Sequence, residues 1–415
     1  GVFLVIFLGA GILFKDFYAM PAVVAFLIAL FVAFLQNRKV SFQKKMEVIA
    51  KGLGEENIIT MCLIFLCAGA FSGAVTAAGG VDSTVNLGLS LIPPHFAVAG
   101  LFIIGCFISV SMGTSVGTIT ALAPIAVGIS KQTGFSMAIC VAAVVCGAMF
   151  GDNLSFISDT TIVATRTQGC QMSDKFKVNI RIALPIAILT GLIYVLVGSG
   201  VENAYAPAPI EWVKVIPYLV VLVTAVCGIN VMLVLFIGIV LSGIVGLWTG
   251  SFDIWGWNAS MGLGITNMGE LIIVTLLAGG MLEMIRYNGG IDWIIRKLTS
   301  RIHSSKGAEM SIAALVSFAN LCTANNTIAL IMAGPIAKDI ADRFKIDPRR
   351  SASLLDIFSC FVQGIIPYGA QMLMAAGLGH VSPIEIMQYL YYPYLLGAGA
   401  LLAIAFNYPR KYTLV

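Results

Sequence analysis

The segment Gly151-Asp152-Asn153-Leu154-Ser155-Phe156-Ile157-Ser158-Asp159-Thr160-Thr161 sets two carboxylates, an amide and four hydroxyls within an otherwise apolar stretch. Each unsatisfied polar group is costly in an apolar span, so such a set implies a use. Hard oxygen donors of this kind, with carbonyls freed by an unwound helix, suit a dehydrated Na⁺ ion. Asp152, Asn153, Ser155, Ser158, Asp159 and Thr160 are the candidate cation- and proton-binding residues. Seven residues are about two helical turns. In a continuous helix Asp152 and Asp159 would therefore share a face, with Ser155 between them. The alternative is that these groups cap two half-helices around a break, or form an exit loop.

Two further polar stretches interrupt apolar segments. Ser111-Met112-Gly113-Thr114-Ser115-Val116-Gly117-Thr118 offers small residues for close backbone approach and hydroxyls for coordination, with Ser111, Thr114, Ser115 and Thr118 as candidates. Asn320-Leu321-Cys322-Thr323-Ala324-Asn325-Asn326-Thr327 offers amides that both donate and accept, with Thr323, Asn325, Asn326 and Thr327 as candidates. Half-helix N-termini in these stretches would favour an anionic group. Polar contacts between helices are the other use such residues have. The Na⁺ ligands expected from the whole set are Asp152, Asp159, Thr114 and Asn325.

The elements that must hold these residues follow from composition. Apolar residues make up 59% of the chain and charged residues 11%, against about 25% charged in soluble domains. Spans of roughly 20 apolar residues are what a bilayer requires. Candidate spans lie at 1–14, 17–35, 58–75, 135–165, 182–198, 213–227, 231–248, 271–285, 351–378 and 387–406. Residues 1–14 would rise only about 21 Å, so a first helix beginning before Gly1 is expected rather than a signal peptide. The net charge of +4 comes from basic loops, which argues against nucleic acid as a partner. Eight of the nine cysteines sit in apolar segments as small hydrophobes, and the three histidines have no metal-motif spacing. No cofactor is expected.

Loop charges set the topology. Lys and Arg in 36–57, 166–181, 286–301, 338–350 and 410–411 place these loops, and both termini, in the cytoplasm. Glu202, Glu211, Asp253 and Trp248, Trp255 and Trp257 fall outside, the tryptophans as an interfacial belt. Basic loops on both sides of 310–337 require that segment to be a re-entrant hairpin, and 96–129 mirrors it from the outer face. Ala68-Gly69 and Gly79-Gly80-Val81-Asp82 reappear as Ala278-Gly279 and Gly289-Gly290-Ile291-Asp292, shifted by 210 residues, and Ala123-Pro124-Ile125-Ala126 as Gly334-Pro335-Ile336-Ala337, shifted by 211. The flanking charges reverse between copies. The expected fold is an all-α polytopic membrane protein of two inverted-topology repeats, 1–200 and 201–415, each with about five transmembrane helices and one re-entrant hairpin. The broken helices are expected at 135–165 and 351–378.

An offset of about 212 sets Gln363, Tyr368 and Gln371 opposite Gly151, Phe156 and Asp159. The second half lacks carboxylates there, so a single cation site centred on the first half is expected, with Gln363 among the substrate-binding candidates. Asp356 and Glu283 read as interfacial charges paired with basic loop residues, and Tyr389, Tyr391, Tyr392 and Tyr394 as an aromatic belt. Residues 291–302 read as an interfacial amphipathic helix with a counterpart starting at Val81.

Gly151-Asp152-Asn153-Leu154-Ser155 with Ser158-Asp159-Thr160-Thr161, and Thr323-Ala324-Asn325-Asn326-Thr327, resembles the NhaC family of Na⁺/H⁺ antiporters. The resemblance implies the ion-transporter-superfamily fold, with a commonly dimeric scaffold and a transport unit that moves as an elevator. It also implies cation binding and proton exchange at Asp152 and Asp159. The function expected is Na⁺/H⁺ antiport by alternating access across a bacterial inner membrane, with lipid, Na⁺ and H⁺ as partners. The alternative is Na⁺-coupled transport of an amino acid or small carboxylate held between the hairpin tips. An enzyme is not expected: Met149 stands where a presenilin-like protease motif needs glycine, and no His-Glu-x-x-His is present.

Overall fold

The computed structural model describes residues 2, 5–6, 22–91, 93–155, 158–198, 209–227, 229–290, 293 and 304–409, and among them the regular structure is helical throughout. In chain order the α-helices are α1 (Ala22–Leu35), α2 (Phe42–Leu53), α3 (Glu56–Ala77), α4 (Gly80–Leu91), α5 (Ala97–Met112), α6 (Ser115–Thr133), α7 (Met137–Leu154), α8 (Asp159–Gln168), α9 (Met172–Gly198) and α10 (Trp212–Val226). They continue as α11 (Val231–Trp248), α12 (Ile254–Asn267), α13 (Gly269–Tyr287), α14 (Ser305–Thr323), α15 (Asn326–Arg343), α16 (Pro348–Ile365), α17 (Ala370–Gly379), α18 (Pro383–Met387) and α19 (Tyr391–Ala405).

Among the described residues six runs are long and apolar enough to cross a membrane: Ile58–Ala77, Met137–Gln168, Met172–Gly198, Val231–Trp248, Ile254–Tyr287 and Pro348–Gly379. Three expected spans are shorter apolar helices, Val23–Leu35, Trp212–Thr224 and Tyr391–Ala405. The span expected at 1–14 and the amphipathic helix expected at 291–302 lie outside the described residues, apart from isolated positions. This is the helix set of a multi-pass membrane protein. Within it the runs Met137–Gln168 and Pro348–Gly379 are 89% and 78% buried, against 28% for Met172–Gly198. The two most buried runs are therefore the core, and protein rather than lipid surrounds them.

Around that core the helices sort into two groups. The hairpin arms α5 and α6 pack on α7, and the arms α14 and α15 pack on α16; α15 also lies against α8, and α6 against α17. The other group is a frame in which α3 packs on α11 and α12, and α13 packs on α1 and α2. Direct contact of these frame helices with the core is sparse and runs through α3 and α13, while α4 and α10, packed on each other, bridge the frame to α5 and α6.

Glycines allow the tightest of these approaches. A Cβ on Gly69 would strike the Gly264 carbonyl and one on Gly264 the Gly69 carbonyl, while Gly73 faces the Ser260 carbonyl, so α3 and α12 cross backbone to backbone. Gly52 and Gly279 face each other's carbonyls where α2 crosses α13. Close helix approach through small residues is the usual packing mode in membranes. Gly264→Leu is expected to force α3 and α12 apart at a cost of about 1–3 kcal/mol, read as a lower melting temperature of the purified protein. Gly262→Ala, next to open space, is the control expected to change nothing.

Several expectations are corrected. The basic stretch 36–57 is not all loop. It holds α2, whose Lys45 is buried with its ammonium donating to the Phe34 and Gln36 carbonyls at 2.6 Å each, closing the C-terminus of α1. The span expected at 271–285 is the second half of a run that begins at Ile254, with Trp248 and Trp255 exposed near its start as a belt would have them. The tyrosine cluster is mostly not a belt. Tyr392 is fully buried, the Tyr194 hydroxyl donates to the Tyr389 carbonyl at 2.8 Å, and the Tyr194 and Tyr391 rings lie 5.2 Å apart; Tyr394 alone of the four is exposed.

Candidate functional site

The continuous helix that would align Asp152, Ser155 and Asp159 does not form. α7 ends at Leu154, Ser155 caps it in an extended conformation, and α8 starts afresh at Asp159. Side chains close the break. The Ser158 hydroxyl accepts from the Thr161 amide at 3.3 Å as N-cap, the Thr160 hydroxyl donates to the Asp152 carbonyl at 3.2 Å, and the Thr161 hydroxyl donates to the Ser155 carbonyl at 2.8 Å. Capping, the alternative use, is thus what much of the hydroxyl set does. The second broken run is α16, capped by Ile366, followed by α17. Its bounds match those of α7 and α8 shifted by 211 residues throughout. That register corrects the offset of 212 by one and brings Gln363 opposite Asp152.

The hairpins turn at equivalent points. Gly113 takes a left-handed conformation (φ 69°) and Thr114 caps α6, its hydroxyl accepting from the Gly117 amide at 3.4 Å. Ala324 takes the same conformation (φ 50°), strained for a residue with a Cβ, and Asn325 caps α15 by accepting from the Ile328 amide at 3.0 Å. Gly147 and Gly151 let α5 press onto α7, Gly151 directly against Ser109, which brings the first tip to the end of α7.

Both tips and both breaks line one cavity of about 180 Å³, with Thr60, Met61 and Ile64 of α3 as the remaining wall. This is smaller than the roughly 300–1,000 Å³ of a drug-sized pocket and suits an ion or a small organic molecule. Asp152, Ser158, Asp159, Thr160, Thr114, Ser115, Asn325, Asn326, Thr327 and Gln363, all expected from sequence, line it. Asp152 is buried, whereas Asp159 is exposed at the rim. Of the other candidates, Asn153 and Ser155 are buried behind the cavity, the Thr118 hydroxyl donates to the Thr114 carbonyl at 2.9 Å, and the Thr323 hydroxyl donates to the Asn325 carbonyl at 2.9 Å. Ser111 lies in the last turn of α5, its side chain outside the described set.

One hydrogen-bonded chain joins these pieces. Gln363 Nε2 donates to the Ala324 carbonyl at 3.0 Å and to Gln371 Oε1 at 2.6 Å; Gln371 Nε2 donates to Ser115 Oγ at 2.9 Å; Ser115 Oγ donates to Asp152 Oδ2 at 2.6 Å. Asn326 Nδ2 also reaches Asp152 Oδ2, at 3.5 Å. Gln363 Oε1, buried in the cavity wall, has no hydrogen-bond partner among the described residues and is a ready oxygen ligand. Sequence reasoning left Gln371 out of the site, although the regular shift between the broken runs marks it.

The larger omission concerns two residues assigned to other places. Asp356 does pair with a basic residue of the 166–181 stretch, as expected, but neither partner lies in a loop or at the surface. Lys175 lies in the first turn of α9, and its ammonium sits 2.8 Å from Asp356 Oδ2, with side-chain exposures of 1% and 0%. The same ammonium donates to the Asn153 carbonyl at 2.9 Å and to Thr161 Oγ1 at 2.6 Å. Glu283 does meet basic residues as expected, Lys51 at 2.6 Å and Arg286 at 3.5 Å.

Buried acids elsewhere have cationic partners: Asp347 pairs with Arg349, Glu309 with Arg350 and Asp356 with Lys175. Among the described residues, Asp152 is the buried carboxylate without one. It is held by a hydroxyl and an amide and opens on a cavity of oxygen ligands, as a site for an exchangeable cation would be.

Known proteins resemble the chain along its length. A malate-2H⁺/Na⁺-lactate antiporter of Bacillus subtilis is 24% identical over 99% of this chain and 93% of its own. The Na⁺/H⁺ antiporter NhaC of Alkalihalophilus pseudofirmus is 24% identical over 80% of this chain and 78% of its own. The solved YdaH transporter of Alcanivorax borkumensis matches 94% of this chain and 99% of its own with a TM-score of 0.45 and 13% identity. The named antiporters are transporters rather than enzymes. Residues 1–199 and 206–408 match the model of the Na⁺/H⁺ antiporter family, and the chain belongs to that family.

Proposed function

We propose that the protein is a Na⁺/H⁺ antiporter in which Na⁺ and H⁺ compete for Asp152. The observation that carries this reading is the unpaired, buried Asp152 carboxylate facing the cavity. Na⁺ is held there by Asp152, Thr114, Gln363 and the Asn325 tip, and Asp159 at the rim receives and releases it. Internal alkalinisation of proteoliposomes, under an inward Na⁺ gradient with the membrane potential clamped, tests this. Silence on Na⁺ alone sinks it.

In the same reading the halves 1–200 and 201–415 are inverted repeats. Four features support it: the equal shift of the two broken runs, the paired left-handed turns at Gly113 and Ala324, Ser115 and Asn326 meeting Asp152 from opposite hairpins, and the reciprocal glycine crossings Gly69/Gly264 and Gly279/Gly52. The frame is the scaffold and the core the moving unit of an elevator. A second cavity of about 290 Å³, lined by Ser72, Thr76 and Asn267 and by His380 at the end of α17, lies farther along α3. Thr60 and Ser72 are separated by about 18 Å of helix, a distance over which the core can travel.

In this reading the open cavity and both termini lie on the cytoplasmic side of a bacterial inner membrane, which the basic residues of α2 support. Exposed apolar residues such as Leu192, Leu196, Val223 and Phe236 meet lipid or, on the frame, a second copy in a homodimer. Cross-linking in membranes tests the dimer.

A second reading is Na⁺-coupled transport of a small carboxylate or amino acid. The N-termini of α6, α8, α15 and α17 all reach the cavity, an arrangement that favours an anion, and the B. subtilis relative is named for malate and lactate. In that reading Asn325→Ala, which removes a cap worth about 1 kcal/mol, weakens the apparent affinity for the organic substrate. An unchanged organic affinity in that variant argues for the first reading.

A further inference from the structure

We propose that Lys175 is a built-in cation, occupying the place of a second Na⁺ and limiting the site to one exchangeable cation. The inference rests on the reading in which Na⁺ and H⁺ compete at Asp152.

The Lys175 ammonium has three donors, and three oxygens take them: the Asn153 carbonyl at the end of α7, Thr161 Oγ1 in the first turn of α8 and Asp356 Oδ2 of α16. A carbonyl, a hydroxyl and a carboxylate at 2.6–2.9 Å are the ligand types a dehydrated Na⁺ uses. Asn179 completes the shell, its Nδ2 donating to Asp356 Oδ2 at 2.7 Å and to the Asn153 carbonyl at 3.0 Å. The cluster is fully buried and lies beside the cavity rather than in it, since neither Lys175 nor Asp356 lines the cavity wall.

Charge counting gives the consequence. Asp152 and Asp356 bring two negative charges into the buried centre and Lys175 one positive charge, so one monovalent cation neutralises it. Asp159 is exposed at the rim and stays outside the count. Stability alone is a poor reason for the pair, because apolar residues of similar volume often serve as well. Three buried oxygens on the residues of this cluster, Oδ1 of Asn153, Asn179 and Asp356, have no hydrogen-bond partner among the described residues. They are acceptors that a second cation can use once the ammonium is gone.

The test is equilibrium binding of radiolabelled Na⁺ to purified protein and to K175Q, D356N and the charge-neutral double variant K175Q/D356N. The unsubstituted protein is expected to bind one Na⁺ per chain. K175Q is expected to bind two, with the Hill coefficient rising from about 1 towards about 2. D356N, in which the buried ammonium is left without its counter-ion, is expected to lose about tenfold or more in Na⁺ affinity. The double variant keeps the charge count and is expected to bind one Na⁺ within about threefold of the original affinity. It carries the test alone where a single variant does not accumulate.

One Na⁺ in K175Q together with undiminished affinity in D356N overturns the proposal. So does lost Na⁺ binding in the double variant, which makes the pair a brace for the break and nothing more. Antiport in proteoliposomes by the unsubstituted protein separates these outcomes from failure of the underlying reading. With no antiport and no Na⁺ binding, the antiporter reading falls and the charge count with it.

Discussion

Asp152→Asn is expected to yield a folded protein that no longer exchanges Na⁺ for H⁺, with a transport rate at least about 100-fold lower. Asparagine matches aspartate in shape and keeps an oxygen for the Ser115 hydroxyl, which donates to Asp152 Oδ2 at 2.6 Å. What it removes is a charge that is buried without a cationic side chain beside it, and burying such a charge costs stability. The variant is therefore expected to melt at or above the temperature of the original protein in Na⁺-free buffer. Saturating Na⁺ at about 100 times its Kd stabilises a binding protein by about 2.7 kcal/mol, and that increment is expected to vanish in the variant. The pair of readouts separates loss of site from loss of fold. Full transport with an intact Na⁺-induced thermal shift would place the cation elsewhere.

Arg350→Met is expected to produce the largest single loss of stability, about 3–5 kcal/mol. The Arg350 guanidinium, fully buried at the start of α16, holds Glu309 of α14 in a two-pronged pair at 2.9 and 3.2 Å and donates to the Tyr408 carbonyl at 2.7 Å. Removing it strands the Glu309 carboxylate in the interior. Changing both partners to methionine is expected to restore most of the loss, because no charge is then left unpaired. Thermal melts in detergent check both variants, and a single variant as stable as the original would show that the pair is reached by water.

Much of the site was legible because its residues are costly where they stand. Asp152, Ser158 and Asp159 in one apolar run, and Thr114, Ser115, Asn325 and Asn326 in two others, are too polar to be there without purpose, and the cavity gathers them. Helix ends were less legible. Asp152 and Asp159 fit a helical period as well as they fit a break, and only the hydroxyl caps at Ser158, Thr160 and Thr161 decide between these. Lys175 and Asp356 were misplaced for a different reason. A lysine near other basic residues reads as a cytoplasmic loop, and its pairing with a residue 181 positions away is a tertiary event. The tyrosine cluster shows the same limit, since Tyr392 turns inward to contacts that pattern does not reveal.

The glycine crossings have a mechanical consequence. Where the backbones of α3 and α12 touch directly at Gly69 and Gly264, no side chain stands between them that could change rotamer to absorb sliding. In the proposed elevator the frame would therefore be a stiff stator. In that mechanism compliance is left to the seam on the other side of α3, and bulky residues introduced there, away from Thr60, Met61 and Ile64 of the cavity wall, are expected to tune speed.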